Sequence, residues 1–385
     1  MKKLVMLSVE SVFSGRTLSG MAELVDSLAN SLGRDYKVTI VCPYGNSVFA
    51  RNASDLREIE EGVHKCRFSA VDYYMIDIDL WFDKVSEIVE SLAPDILHNF
   101  AEPEIISMLS VRPKKCLCTF DQASFVKGKE KYLRLYDVVT TSSVQYARDV
   151  LAINDELSDT LRSIDFLGVT GGILSTVFSP KKGLLIPEKY SSTDQEGKQI
   201  CKQRLLKTYG IEGNPYVCLM MCRLIKEKGL EKVFDAISTI KKTGGVLIIV
   251  GKGAHEYEQK LRAYSHLDGV VYIDRWASPV QAAPLASGAD FYLCPSNTEA
   301  CGLMPMTASC YGAIPIVTLN GGLADNFNRN NAIIVNDDNL QDAIYEASKL
   351  YSNKTEFLNK RRVCMEQDFS WETRKQKYIE LYEKE

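Results

Sequence analysis

The sequence predicts an α/β protein made of two doubly wound domains, each a parallel sheet covered by helices. Short, nearly continuous apolar runs alternate with longer amphipathic segments along the whole chain. Strands that are buried on both faces lose the polar alternation of a half-exposed strand, so such runs are typical of parallel sheets. The 385 residues are also enough for two or three domains.

The first half of the chain contains five predicted strands and one clear helix. The helix spans residues 20–32, directly after the first strand, and its apolar residues recur with helical spacing. Strands separated by crossovers of this kind pair in parallel. The predicted strands are residues 3–8, 37–43, 95–100, 115–121 and 137–143.

The second half begins with a change of composition after residue 182. Residues 188–199 are polar and show no apolar period, which is typical of a connection between domains. Helices are predicted over 229–240 and around 255–264, between the strands of a second series. Those strands are residues 217–223, 246–253, 270–275, 290–296, 314–319 and 332–335.

The closing segment, residues 371–385, is predicted to be a helix. Trp371, Tyr378 and Leu381 recur there at spacings of seven and three residues. The residues alone leave two placements open, a return to the first domain or packing on the second. The predicted domains are therefore residues 1–180 and 181–370, followed by this helix.

Composition and charge exclude several classes of function. The 46 basic and 50 acidic residues give a net charge of −4, so nucleic acid is not an expected partner. No run approaches the roughly 18 apolar residues of a membrane span. The first apolar run is interrupted at Glu10, which predicts a strand and not a signal peptide. The 11 cysteines form no CxxC pair and the 4 histidines no metal-ligand spacing. We therefore expect free thiols in the cytoplasm and no metal site.

The most informative segment is residues 295–327, PSNTEACGLMPMTASCYGAIPIVTLNGGLADNF. A predicted strand ends there, Glu299 follows, and the chain turns through Cys301-Gly302-Leu303 into a helix. The start of a helix suits a phosphate or sugar oxygen, and a glutamate accepts hydrogen bonds from hydroxyls. The Gly321-Gly322 turn follows the next strand and faces the same sheet edge. Glycines are common in ordinary turns, but an acidic residue ahead of one of two neighbouring turns favours a binding site.

A second segment, CRLIKEKGL at residues 222–230, contributes two cations. Arg223 lies at the end of a predicted strand, and Lys228 precedes a helix. Two cations at a strand end can neutralise a diphosphate without a metal. Taken alone, a solvated surface pair is the simpler interpretation. Together with residues 295–327, the pair indicates a diphosphate site.

Three further features give weaker predictions. Ser19 and Gly20 lie where a phosphate-binding loop would, but the loop lacks both GxGxxG and GxxxxGK[ST]. Gly251 and Gly253 follow a strand and are candidates for a base or ribose contact. Asp77-Ile78-Asp79 has the form of a metal-binding DxD, but it begins an amphipathic helix, where carboxylates are favoured by the helix dipole.

These segments together resemble the bacterial glycogen synthase and starch synthase family. Residues 295–327 are similar to its ExCGL segment followed by its YG-x-x-P and GGL-x-D elements, and CRLIKEKG to its R-L-x-x-x-KG element. Residues 188–211 resemble its tyrosine-led linker and following helix, and FSWETRKQKYIELY resembles its closing helix. The similarities occur in the family's order and cover roughly residues 160–385.

The resemblance implies the GT-B fold, in which two doubly wound Rossmann-like domains face each other across a cleft. Residues 371–385 would return to the first domain, which lies on the acceptor side. The family transfers glucose from a nucleoside diphosphate, usually ADP-glucose in bacteria, to a growing α-1,4-glucan. The reaction retains the anomeric configuration and needs no metal.

The resemblance also implies roles for the residues singled out above. Arg223 and Lys228 would bind the donor diphosphate and stabilise its departure, Glu299 would hold the donor sugar, and the turn at 301–303 would add backbone contacts. The predicted catalytic residues are Arg223, Lys228, Glu299 and Asp121. The predicted donor-binding residues are Arg16, Ser19, Gly20, Gly251, Gly253, Cys301, Gly302, Leu303, Gly321 and Gly322.

The first half departs from the family pattern in three elements. The lysine of the family's K-x-GG-L loop is missing, and Arg16 is predicted to take over its phosphate contact, while Gly20 keeps the second glycine. The T-x-H-N element reads TFDQ, so Asp121 replaces the histidine that contacts donor glucose. The H-x-H-D-W element keeps only its first histidine, His98.

We therefore predict a cytoplasmic, retaining, metal-independent glycosyltransferase that uses a nucleotide sugar, ADP-glucose or UDP-glucose, and a saccharide acceptor. No cofactor is expected beyond the donor substrate. An ionised aspartate only accepts hydrogen bonds, so Asp121 leaves two alternatives open. One is transfer to a different small-molecule or cell-surface acceptor, and the other is a catalytically silent protein that binds sugar nucleotides or glucans.

Overall fold

The chain forms two compact units. The computed structural model describes residues 1–9, 20–44, 47–52, 78–174, 178–275 and 279–384. Unit 1 comprises Met1–Leu174 together with Phe369–Glu385, and unit 2 comprises Ser175–Asp368. The division lies a few residues before the predicted boundary at residues 180 and 181. Residues 188–199, predicted to connect the domains, belong to unit 2.

Unit 1 is built on a seven-stranded sheet in the order β3-β2-β1-β4-β5-β6-β7. All neighbouring strands are parallel except β2 and β3, which form an antiparallel hairpin at the edge. Neither β3 nor β7 was predicted, because the apolar run of β3 is only three residues long and the whole of β7 has only three residues. The strands are β1 (Lys3–Leu7), β2 (Lys37–Tyr44), β3 (Ser47–Asn52), β4 (Ile96–Asn99), β5 (Lys115–Phe120), β6 (Val138–Thr141) and β7 (Phe166–Gly168).

Among the described residues of unit 1, five helices precede the division between the units. The first of them begins and ends at the predicted residues, because its apolar positions recur with helical spacing and pack into the unit's core. The helices are α1 (Gly20–Leu32), α2 (Ile78–Leu92), α3 (Glu130–Leu133), α4 (Val144–Leu151) and α5 (Glu156–Arg162). Two 3-10 helices, Pro103–Met108 and Ala123–Phe125, follow β4 and β5.

Unit 2 is built on a six-stranded parallel sheet in the order β10-β9-β8-β11-β12-β13. The strands are β8 (Tyr216–Met221), β9 (Gly245–Val250), β10 (Val270–Ile273), β11 (Phe291–Cys294), β12 (Ile314–Val317) and β13 (Ile333–Ile334). The helices are α6 (Glu196–Thr208), α7 (Leu230–Lys242), α8 (His255–Tyr264), α9 (Pro279–Gly288), α10 (Leu303–Cys310), α11 (Gly321–Asn326), α12 (Leu340–Ser352) and α13 (Lys354–Met365). All six predicted strands of this half are present.

The polar stretch predicted as a connection is buried where it enters α6. Lys198 is 2% exposed, and its Nζ donates to the backbone oxygens of Tyr311 at 2.7 Å and Ser287 at 3.0 Å. The hydroxyl of Tyr190 donates to the same Tyr311 oxygen at 2.8 Å. Polar composition therefore did not mean a solvated linker, because these side chains satisfy buried backbone carbonyls.

A buried carboxylate joins α6, β11 and α13 in the same region. Asp290 lies 2.6 Å from Lys202 and 2.8 Å from Arg361, and all three side chains are at most 8% exposed. The second oxygen of Asp290 also accepts from the backbone N–H of Val217 at 3.0 Å. Removing the carboxylate would leave two buried cations without a counter-charge.

The end of the chain packs on unit 1 as two short helices, α14 (Trp371–Arg374) and α15 (Gln376–Glu383). Trp371 is fully buried, and its indole N–H donates to the hydroxyl of Ser27 in α1 at 2.8 Å. The Tyr382 hydroxyl lies 2.7 Å from Nδ1 of His98 in β4. Of the two placements left open by the residues, the structure has the return to the first unit.

The predicted α/β class with two doubly wound units is confirmed, since each unit has its own parallel sheet and covering helices. Within the part of the chain that the structure describes, no helix has the length and apolar character needed to cross a bilayer.

Candidate active site

The strand order of unit 2 reverses between β8 and β11, and this point carries the strongest predicted residues. The two strands are neighbours, with β9 on one side and β12 on the other. Open α/β sheets bind ligands outside the carboxyl ends of the strands at such a switch point. Arg223 and Lys228 follow β8, and Glu299 follows β11, so the structure brings both predicted segments to one edge.

Lys228 and Glu299 form an ion pair at this edge. The Lys228 Nζ lies 2.7 Å from Oε2 of Glu299, and the side chains are 17% and 15% exposed. Burial alone would lower the pKa of Lys228, but the Glu299 carboxylate outweighs burial and raises this pKa above its ordinary value. Lys228 therefore carries a full positive charge at neutral pH and can bind an anion.

Arg223 lies two residues beyond the end of β8 and is half-buried. Its backbone oxygen accepts from the N–H of Ile225 at 3.0 Å. Among the described residues, no hydrogen bond or ion pair occupies its guanidinium group. No carboxylate of the described part of the chain therefore occupies its five N–H donors.

Close contact between two loops fixes the position of Lys228 beside Glu299. Gly229 adopts a left-handed conformation with φ of 71°, and a β-carbon there would lie 2.1 Å from the backbone oxygen of Pro295. The N–H of Asn297 donates to the oxygen of Glu227 at 2.7 Å. Only glycine permits this approach, so the loop after β8 is held against the loop after β11.

The two glycine turns of residues 295–327 also meet at this edge. Gly302 has a φ of 85° and immediately precedes α10, which starts at Leu303. The N–H of Gly322 donates to the backbone oxygen of Glu299 at 2.8 Å, and a β-carbon on Gly322 would lie 2.3 Å from the backbone oxygen of Cys301. The structure therefore places Glu299, the 301–303 turn and the 321–322 turn side by side.

The strand order of unit 1 reverses between β1 and β4. Gly20 is the first residue of α1 after β1, whereas Arg16 and Ser19 lie outside the described residues. In the first turn of α1, Oε1 of Glu23 is buried and has no hydrogen-bond partner among the described residues. Burial raises the pKa of Glu23 to about 7, so this carboxyl group is half protonated near neutral pH.

Asp121 and His98, the residues of the altered family elements, occupy different positions in unit 1. Asp121 follows β5 directly and is half-buried at the carboxyl edge. His98 lies inside β4, with Nε2 2.7 Å from the Thr119 hydroxyl and Nδ1 2.7 Å from the Tyr382 hydroxyl. Burial lowers the pKa of His98 well below its ordinary value, so a neutral imidazole joins the strands to α15.

No cluster of three or more histidine, cysteine, aspartate or glutamate side chains suited to a metal occurs among the described residues. Asp77 of the DxD sequence lies outside those residues, and Asp79 is in the first turn of α2.

The family model for "Glycosyl transferases group 1" matches residues 202–368. This range contains Arg223, Lys228, Glu299 and both glycine turns of unit 2. Residues 202–368 form a group 1 glycosyl transferase domain. The residues that the sequence analysis singled out in the second half are therefore those of a domain with a known family assignment.

Curated relatives agree with this assignment over a longer stretch. The chain is 31% identical to a glycogen synthase of Thermodesulfovibrio yellowstonii over 274 residues, which are 68% of this chain and 54% of the relative. It is 32% identical to a glycogen synthase of Lactococcus lactis over 269 residues, which are 64% of this chain and 55% of the relative. The predicted resemblance to glycogen synthases is confirmed, and the chain spans about half the length of these relatives.

Solved structures confirm the GT-B fold. The catalytic domain of starch synthase IV from Arabidopsis thaliana, bound to ADP and acarbose, has a TM-score of 0.82 at 18% identity, covering 99% of this chain and 98% of that one. HepE from Anabaena, in complex with UDP and glucose, has a TM-score of 0.68 at 12% identity, covering 100% of both chains.

Two further residues of the glycosyl transferase domain were not singled out from the sequence. The Ser296 hydroxyl donates to Oε2 of Glu299 at 3.1 Å. The Ser296 backbone oxygen accepts from the side-chain amide of Asn320 at 2.7 Å. The only sequence signal was their position next to the two glycine turns, which does not reveal these contacts.

Gly251 and Gly253 of the glycosyl transferase domain have a packing reason for being glycine. A β-carbon on Gly251 would lie 2.1 Å from the Cys222 oxygen, and one on Gly253 2.3 Å from the Leu224 oxygen. The loop after β9 therefore lies directly against the loop that carries Arg223. Their predicted contact with a donor stays a prediction.

Proposed function

We propose that this protein transfers a hexose, glucose in the first instance, from a nucleoside-diphosphate sugar to a saccharide acceptor, with retention of the anomeric configuration. The observation that carries the proposal is the Lys228–Glu299 pair, with its 2.7 Å contact, beside Arg223 at the switch point of a group 1 glycosyl transferase domain. Two cations and a carboxylate match an anionic leaving group and a sugar that develops positive charge.

In this proposal, Arg223 and Lys228 bind the diphosphate and stabilise the negative charge that grows as it leaves the sugar. Arginine contributes a planar fork of donors, and lysine contributes a compact charge. Preorganised charges of this kind act most strongly in a site from which water is largely excluded, and Lys228 is mostly buried. These cations are the proposed source of the positive charge, so the chemistry we propose needs no metal.

Glu299 is the proposed partner of the donor sugar. A carboxylate can accept hydrogen bonds from sugar hydroxyls and lies favourably near a developing positive charge at the anomeric carbon. The glycine turn at 301–303 would add backbone N–H groups to the donor, and the turn at 321–322 would lie beside it. Gly251 and Gly253 complete the donor-binding set proposed for unit 2. For unit 1, the proposed donor contacts are Arg16, Ser19 and Gly20.

Support for the donor and acceptor comes from the similar proteins. Starch synthase IV was crystallised with ADP and acarbose, and HepE with UDP and glucose, so ADP-glucose and UDP-glucose are both proposed donors. Glycogen synthase relatives make an α-glucan the first acceptor to test. The cytoplasm is the proposed location.

A second candidate function is supported by Asp121. This carboxylate follows β5 where the resemblance expects a histidine that contacts donor glucose. The replacement changes hydrogen-bond direction and charge, because an ionised aspartate cannot donate. The alternatives are a different small-molecule or cell-surface acceptor, or a protein that binds sugar nucleotides or glucans without turnover.

A screen in the presence of EDTA tests the proposal. ADP-, UDP- and GDP-sugars are each incubated with maltooligosaccharides, and nucleotide release and the anomeric configuration of the product are measured. An α-linked extended glucan is the expected result. Nucleotide release without extension indicates a different acceptor, tight nucleotide binding without release indicates the silent protein, and a β-linked product contradicts retention.

A further inference from the structure

The two oxygens of the Glu299 carboxylate have unequal surroundings. Oε2 accepts from Lys228 Nζ at 2.7 Å, from the Ser296 hydroxyl at 3.1 Å and from the Cys294 thiol at 3.8 Å. The described residues make no hydrogen bond or ion pair with Oε1. Oε1 is also not one of the buried side-chain atoms that lack a hydrogen-bond partner. The protein therefore fixes one oxygen and leaves the other open to a ligand.

The Ser296 hydroxyl is the nearer of the two neutral donors to Oε2. Ser296 is completely buried. Its backbone oxygen accepts from the Thr318 hydroxyl at 2.6 Å and from the Asn320 amide at 2.7 Å, both at the end of β12. The orientation of the Asn320 amide is determined, since its nitrogen faces two oxygen acceptors. These two bonds hold the backbone of Ser296 at the edge of the sheet.

We infer that Ser296 is a positioning residue for Glu299, and this inference rests on the proposed function. A bound donor diphosphate competes for the Lys228 ammonium group, whose one ion-pair partner among the described residues is Glu299. As Lys228 turns toward the phosphates, Oε2 loses its strongest contact. The Ser296 hydroxyl then holds the carboxylate with Oε1 directed at the sugar, because the Cys294 thiol is a longer and weaker donor.

The consequence is a division of effects between binding and turnover. The Ser296 hydroxyl touches neither the sugar nor the diphosphate in this arrangement, so removing it leaves nucleotide binding intact. It does change the orientation of a carboxylate that must act as the sugar–phosphate bond breaks. Loss of an interaction made mainly in the transition state lowers kcat more than it raises KM.

The experiment compares Ser296→Ala, Ser296→Thr and Ser287→Ala in the full chain. The readouts are nucleotide-sugar turnover, nucleoside-diphosphate affinity and thermal unfolding. For Ser296→Ala we expect kcat to fall about 10- to 100-fold, the size of one hydrogen bond to a charged group. The donor KM and the diphosphate Kd should change by less than about threefold, which is the scatter of non-contacting substitutions. Ser296→Thr should restore most of the turnover because it keeps a hydroxyl. Ser287→Ala is the matched control and should stay near wild type, because Ser287 is also fully buried in unit 2 but its hydroxyl donates to the Pro284 oxygen and not to Glu299.

Several outcomes would overturn the assignment. They are wild-type kcat in Ser296→Ala, an equal fall in Ser287→Ala, or a loss of diphosphate affinity and stability in parallel with turnover. If Ser296→Thr unfolds, the comparison of the two alanine variants decides alone. If the wild-type protein neither binds nor turns over any nucleotide sugar, the proposed function and this assignment both fail. This outcome is seen in the wild-type protein, whereas failure of the assignment alone is seen only in the variants.

Discussion

Two carboxylates stand at the switch points of the two sheets, and they differ in their partners. Glu299 in unit 2 faces Lys228 at 2.7 Å, whereas Oε1 of Glu23 in unit 1 is buried without a partner among the described residues. Burial raises the pKa of Glu23 to about 7. The switch point of unit 2 therefore holds an ion pair, whereas at that of unit 1 one carboxylate oxygen is buried without a partner among the described residues.

A family motif predicts a binding site only where its residues lie beyond the strand ends. In unit 2 the motif residues lie in loops beyond the strand ends, where side chains can reach a ligand. In unit 1 the retained histidine, His98, lies within β4 and is enclosed by Thr119 and Tyr382. The same kind of sequence match thus marks a candidate site in one unit and an interior hydrogen-bond network in the other.

The largest effect is expected at Asp290, a buried carboxylate that forms ion pairs with two cations. Asp290→Asn should lower the free energy of unfolding by about 3–5 kcal/mol, because Lys202 and Arg361 lose their buried counter-charge. Denaturant unfolding of the variant measures this. Asp338→Asn is the control, since its pair with Lys232 involves a carboxylate that is 73% exposed, and it should lose less than about 1 kcal/mol. Equal losses in both variants would contradict the argument from burial.

The next effect concerns the paired carboxylate and its lysine. Lys228→Ala should lower kcat/KM for the nucleotide sugar roughly 30- to 1,000-fold, a loss of about 2–4 kcal/mol of transition-state stabilisation, because the positive charge that stabilises the leaving diphosphate is removed. Arg223→Ala should have a similar effect. Lys226→Ala is the matched control, because Lys226 lies in the same 3-10 turn and is exposed. Near-wild-type turnover in Lys228→Ala would remove it from the proposed site.

For Glu23 we expect the opposite sign of effect, because removing the charge of this buried carboxylate should raise the free energy of unfolding. The folded-state pKa of Glu23 is raised from 4.5 to about 7, so the folded protein binds more protons than the unfolded chain between these values. Stability contributed by the protonated acid is present below pH 4.5 and is lost as the pH rises to about 7. Glu23→Gln should therefore match wild type near pH 4 and exceed its unfolding free energy by up to about 3 kcal/mol at pH 8.

Urea unfolding of wild type and Glu23→Gln at pH 4, 6 and 8 measures this difference. Glu87→Gln, on the exposed face of α2, is the control. A difference that does not change with pH would show that Glu23 is ionised throughout, and that an unrecognised partner compensates its burial.

Most of the fold and the centre of the site could be predicted because they depend on local sequence. The continuous apolar run of β9 and the helical spacing of α1 are local signals. The hairpin strand β3 was missed because its apolar run is only three residues long. The burial of Lys198 was missed because it does not depend on neighbours in sequence. Lys198 satisfies carbonyls at residues 287 and 311. Ser296 was missed for the same reason, since its role depends on Thr318 and Asn320 at another strand end.

The smallest effect tests the interior network of unit 1. Tyr382→Phe removes the hydroxyl that lies 2.7 Å from Nδ1 of the buried His98 and should lower the free energy of unfolding by about 1 kcal/mol, the usual size of one such bond. Because His98 is enclosed and neutral, kcat and the donor KM should stay at wild-type values. Tyr345→Phe on the exposed face of α12 is the control for stability. A fall in kcat without a loss of stability would mean that His98 acts on substrate through this network, and the contrast between the two sheet edges would then have to be abandoned.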